Sequence, residues 1–160
     1  MVLKMLHFGQ VVIAAYGAMQ SQVAISNLLT YEDASKKLAK ISSEAERQLH
    51  RTRTTQASGA VAIVVSFVVS LLLATQGASY SVLVRCLASP VMALAVYSAR
   101  AHLQDFWTGK DGKSVTSKIP LPKMEGYNVA LEKTQRLLDV LGWLTMAWAL
   151  TSVVAVFEGY

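Results

Sequence analysis

The chain has 160 residues, enough for one domain. It is 53% hydrophobic and 16% charged, with a mean hydropathy of +0.39. An ordinary soluble protein is about 25% charged, so an apolar excess gathered into long segments points to membrane spans and away from a large soluble core. The net charge of +5 lies beside those segments, which favours lipid headgroups over nucleic acid as the acidic partner. The single cysteine, Cys86, excludes an internal disulfide framework and a cysteine-based zinc cluster.

The first apolar segment, residues 5–29, is long enough to cross a bilayer but carries His7, Gln10, Gln20 and Gln22. Lys4 ahead of it and the small-x-small run Ala15-Tyr16-Gly17 also suit a signal peptide. Cleavage there would leave the basic segment that follows on the translocated side, against the positive-inside rule. A span is therefore the preferred reading, with a segment lying flat on the membrane as the alternative.

Thr30 reads as an N-cap, with Glu32 and Asp33 in the first turn of a helix over residues 31–54. Ala34, Leu38, Ile41, Ala45 and Leu49 form one narrow apolar stripe, and Glu32–Lys36 and Asp33–Lys37 are favourable i,i+4 pairs. The segment is amphipathic. Lys36, Lys37, Lys40, Arg47, Arg51 and Arg53 are its expected headgroup contacts.

Residues 57–75 follow, 19 residues with no charge, close to the length needed to cross a hydrocarbon core about 30 Å thick. Ser58, Ala62, Ser66, Ser70 and Ala74 recur every four residues along it, and Ala147, Thr151, Ala155 and Gly159 repeat the pattern near the C-terminus. Rows of small residues let helices approach closely. Packing inside one bundle is preferred to an oligomer interface, since a bundle needs such faces in any case.

The uncharged turn Gln76-Gly77-Ala78-Ser79 makes the next span, residues 80–99, the return arm of an antiparallel hairpin. Residues 100–136 form a second basic loop, in which Trp107 suits the membrane interface and Pro120 and Pro122 oppose helix. A helix starting near Tyr127 runs into the last span, residues 137–157.

Charge sets the expected topology. Residues 31–56 carry Lys36, Lys37, Lys40, Arg47, Arg51 and Arg53. Residues 100–136 carry Arg100, Lys110, Lys113, Lys118, Lys123, Lys133 and Arg136. The opposite side holds Lys4, with Arg85 inside a span. Four spans put both basic loops on the cytoplasmic or equivalent side and both termini on the other. Three spans remain if residues 5–29 do not cross.

Arg85 is the sharpest chemical signal. At six residues into its span it lies about 9 Å deep, where it either snorkels or finds a partner. Pro90 cannot donate to the carbonyl of Cys86, so a kink and a freed acceptor are expected beside it. The expected polar pocket joins Arg85, His7, Gln10 and Glu158. Asp139 is expected to pair with Arg136 or Arg100. Arg100, His102 and Asp105 read as a helix end facing headgroups. No histidine pair has i,i+3 or i,i+4 spacing, so no metal site is expected. The segment 109–114 ends Gly-Lys-Ser but lacks the glycine spacing of a phosphate loop.

The expectation is an all-α integral membrane bundle forming a single domain over residues 1–160, with spans 5–29, 57–75, 80–99 and 137–157 and basic loops 30–56 and 100–136. Two functional classes remain. The first is a non-catalytic accessory, assembly or lipid-interacting subunit without a cofactor, whose partners are membrane lipids and other membrane subunits or further copies of itself. The second is a small intramembrane enzyme or carrier for a lipophilic substrate, working through the pocket around Arg85.

Overall fold

A computed structural model describes residues 2–39, 43–108 and 124–158, with side-chain placements outside 27–49, 52, 108 and 124–131. Among the described residues the fold is all-helical: α1 (Val2–Ala39), α2 (Ser43–Gln76), α3 (Val82–Thr108) and α4 (Met124–Phe157), with a short 3₁₀ turn (Gly77–Ser79) between α2 and α3. In that turn the Tyr80 N–H donates to the Gly77 carbonyl at 3.3 Å, and the Ser81 hydroxyl accepts the Val84 N–H at 3.4 Å, capping α3.

Each helix contains a stretch long and apolar enough to cross a membrane: Val2–Ser26, Arg53–Ser79, Val82–Trp107 and Glu132–Phe157. α1 packs against α2 and α4, and α3 packs against α2 and α4, so the four helices close a ring in which chain neighbours are also spatial neighbours. That is the up-down-up-down arrangement expected when connections are short.

Most of the buried positions follow one rule; Thr55, Ala74, Leu138 and Val140 are buried beside it. Along α1 they are Leu3, His7, Gln10, Ala14, Gly17, Ser21 and Ala24, at alternating spacings of four and three. Along α4 the same alternation gives Thr134, Leu137, Leu141, Leu144, Trp148, Thr151 and Ala155, and along α2 Gln56, Gly59, Ile63, Ser66, Ser70 and Leu73. A 3-4 alternation is the seam of knobs-into-holes packing in left-handed bundles. Ile63, Leu103, Leu137, Leu141, Leu144 and Trp148, none with accessible surface, form the centre.

Three expectations change. Thr30 does not start a helix, because α1 runs unbroken from Val2 to Ala39. The amphipathic stretch 31–54 is thus not one element: its two halves extend α1 and α2. At about 57 Å, at 1.5 Å per residue, α1 extends well beyond a hydrocarbon core. Trp107 does not face an interface; it is buried against Phe106 and the core. α3 continues as helix through Pro90 to Thr108, nine residues beyond residue 99, where hydropathy alone places the end of the span.

Candidate polar pocket at one end of the bundle

Polar side chains occupy the seam near the end where α1 and α3 begin and α2 and α4 finish. His7 Nδ1–H donates to Gln10 Oε1 at 2.8 Å, and Gln10 Nε2 donates to Thr151 Oγ1 at 2.8 Å. The Thr151 hydroxyl in turn donates to the Ala147 carbonyl at 2.7 Å. Every donor meets an acceptor, so the orientations of the Gln10 amide and the His7 tautomer follow from the chain of bonds. The Trp148 ring stands 5.8 Å from the His7 ring at 53°, and its indole N–H donates to Ser66 Oγ at 2.7 Å. Two cross-helix bonds therefore tie α4 to α1 and to α2.

A second buried layer lies toward the opposite end. There Gln56 Nε2 donates to Thr134 Oγ1 at 2.9 Å, joining α2 to α4. Between the two layers Gly17 allows the closest approach: a Cβ there would lie 2.7 Å from Val140 Cγ1 and 3.2 Å from Ile63.

Above the His7 layer is a partly open cavity of about 50 Å³. Its polar lining is Lys4 and His7 from α1 and Arg85 and Ser89 from α3; Leu73 and Ala155 close it from α2 and α4. All four helices contribute. Two helices start and two end at this level, so their backbone dipoles offset, and Lys4 and Arg85 set the sign of the local potential.

The structure brings Arg85 and His7 to one cavity and attaches Gln10 to it through His7. Glu158 is not in the lining; it is exposed, its N–H bonded to the Val154 carbonyl at 2.9 Å. Arg85 is the fourth residue of α3, about 5 Å from the helix start, which is shallower than the 9 Å expected from a span beginning at residue 80. Lys4 and Ser89 complete the lining, and neither was among the expected pocket residues. In the sequence Lys4 stands out only as a charge, and Ser89 carries no signal beyond its place one turn after Arg85.

In the small-residue row, Ser66, Ser70 and Ala74 are buried and Ser58 and Ala62 half-buried. Only Ser66 of the three serines bonds across helices here; Ser58 and Ser70 donate to the carbonyls of Thr55 and Phe67 in their own helix. A strict spacing of four rotates about 40° per step around a helix, so such a row cannot follow a straight seam. Asp139 is exposed, and both expected partners are engaged elsewhere: Arg136 with Glu132 at 2.7 Å, and Arg100 with the Leu138 carbonyl at 3.3 Å and Gln104 at 3.2 Å. Among the residues expected to face headgroups, Arg51 and Arg53 are exposed, while the side chains of Lys36, Lys37, Lys40 and Arg47 lie outside the described residues.

Comparison of the chain with family models, curated proteins and solved structures returns no match.

Proposed function

We propose that this protein is an integral membrane four-helix bundle that acts without catalysis, as a lipid-interacting accessory or assembly subunit of a membrane complex. One observation carries the reading: large apolar side chains cover the outside of the bundle, while polar side chains are buried among the apolar ones inside it. His7, Gln10, Ser66, Ser70 and Thr151 are buried, while Val12, Leu94, Trp143 and Met146 face outward at 67–69% exposure or are matched there by Met5 and Met19. Only 17–33% of each span is buried within the chain. In water such an exterior would be an extensive exposed apolar patch. In hydrocarbon it is solvated, and Gln10, Thr151, Ser66 and Trp148 form bonds across the helices.

The two basic connections then lie on the cytoplasmic or equivalent side, and the Lys4 end on the other, by the positive-inside rule. Washing membranes with alkaline carbonate tests insertion: the chain stays in the pellet if the spans cross, and release into the supernatant rejects the proposal. Intact-complex mass spectrometry after mild detergent extraction tests the subunit role. Stoichiometric co-purifying subunits support it. A chain that emerges as a monomer carrying a small lipophile favours the second reading, a carrier or enzyme acting through the cavity at Arg85, for which the lining by Arg85 and His7 speaks.

A further inference from the structure

We propose that the cavity at the Lys4 end is a phosphate site that holds the head of an anionic phospholipid. This deepens the lipid-interacting reading above and rests on it.

The chemistry of the lining points to an oxyanion. Lys4 and Arg85 reach the cavity from two different helices, Ser89 adds a hydroxyl, and no carboxylate lines it among the described residues. Arg and Lys are the side chains that recognise phosphate, Arg through its planar fork and Lys as a point charge. His7 is held in one orientation by Gln10, so this wall of the cavity is fixed before a ligand arrives.

Size sets the second constraint. About 50 Å³ holds roughly three to five waters at 10–15 Å³ each, similar to the oxygens of a single phosphate group, and has no room for an acyl chain. A lipid would therefore leave its chains outside, along the apolar exterior of α3, where Leu83, Leu87 and Val91 are exposed. Arg85, about 5 Å from the start of α3, stands at the depth of lipid phosphates when α3 spans a bilayer. Lysine and arginine at one end of a bundle commonly point into bulk headgroups; here a buried serine and a fixed histidine make a concave place for one of them.

The test uses the full-length chain, purified and delipidated in a non-ionic detergent. It is titrated with dioleoylphosphatidylglycerol, dioleoylglycerol, oleate or inorganic phosphate, and adducts are counted by intact mass spectrometry. The expected result is saturable binding of one phosphatidylglycerol, weakened about tenfold in Arg85→Gln and about threefold in Lys4→Gln, and unchanged in Arg136→Gln at the far end of the bundle. Phosphatidylglycerol that resists displacement by millimolar inorganic phosphate assigns the site to a lipid head. Displacement assigns it to free phosphate, which keeps the phosphate site but rejects the lipid. Binding of dioleoylglycerol or oleate as tight as phosphatidylglycerol overturns the proposal, as does unchanged binding in both Arg85→Gln and Lys4→Gln. Should Arg85→Gln fail to fold, Lys4→Gln, at an exposed position, and Ser89→Ala decide between the same outcomes. A chain that resists carbonate extraction but shows no phosphatidylglycerol preference loses the site alone; a chain that washes out of the membrane loses the membrane reading.

Discussion

The indole N–H of Trp148 donates to the hydroxyl of Ser66 across the α2–α4 diagonal at 2.7 Å, and neither residue has accessible surface. A tryptophan on a seam otherwise filled by leucine and threonine needs an acceptor for its one polar atom, and Ser66 is the small residue that leaves room for the ring and provides it. Ser66→Ala strands the indole N–H. It should cost about 1 kcal/mol, the scale of interhelical bonds within membrane proteins. Ser70→Ala, which removes a hydroxyl bonded within its own helix, should change stability by less. Unfolding in a graded denaturing detergent, followed by tryptophan fluorescence, measures both. Equal effects would mean that the cross-helix bond has no special weight.

The Gln10–Thr151 bond makes a different prediction. Gln10→Leu removes the link between His7 and Thr151 but leaves Thr151 bonded to the Ala147 carbonyl. The two residues should couple by about 0.6 kcal/mol, and by no more than about 1.7 kcal/mol. A double-mutant cycle with Gln10→Leu and Thr151→Val gives the coupling directly. A value of zero would show that α1 and α4 gain nothing from this contact.

Two glycines on α1 should behave oppositely. An alanine at Gly17 would place its Cβ 2.7 Å from Val140 Cγ1, and a β-branched side chain on a packed seam has little room to turn. Gly17→Ala should destabilise by about 1–3 kcal/mol. Gly9 has nothing within 4 Å of that point, so Gly9→Ala should be neutral or stabilising by up to about 1 kcal/mol. Comparing the thermal unfolding of the two variants checks the pair. If Gly17→Ala is as stable as Gly9→Ala, the close approach of α1, α2 and α4 is misplaced.

The four long apolar stretches and the turn at residues 77–79 are legible in the sequence because length and absence of charge suffice to find them. The seam was not. In a soluble bundle the inward positions are the apolar ones, so periodicity reveals them. Here the inward set on α1 runs Leu3, His7, Gln10, Ala14, Gly17, Ser21, with apolar residues on every other face as well. Small and polar residues mark the seam, and a row read at a strict spacing of four drifts off it. Arg85 and His7 could be paired in advance because both fall near the start of helices that begin at the same end. Glu158 could not be placed so easily. Ala155 faces the cavity, but Glu158 lies one residue past the end of α4 at Phe157 and is exposed.

The burial of Trp107 is hidden in the sequence for a related reason. An aromatic residue between an apolar span and a basic loop suits an interface on composition alone. Its burial follows from α3 continuing to Thr108, which brings it back to the seam eleven residues after Val96, on the same face as Leu103.

The most direct measurement is the side of the membrane that each helix end reaches. In a Cys86→Ser background, single cysteines replace Val2 and Glu158 at one end and Asp105 and Glu132 at the other, all exposed positions. Sealed vesicles of known orientation are then treated with a membrane-impermeant maleimide. A four-span bundle predicts that Val2→Cys and Glu158→Cys react from one side only, and Asp105→Cys and Glu132→Cys only after the vesicles are opened, or the reverse for inverted vesicles. Labelling of all four positions from the same side would contradict the account.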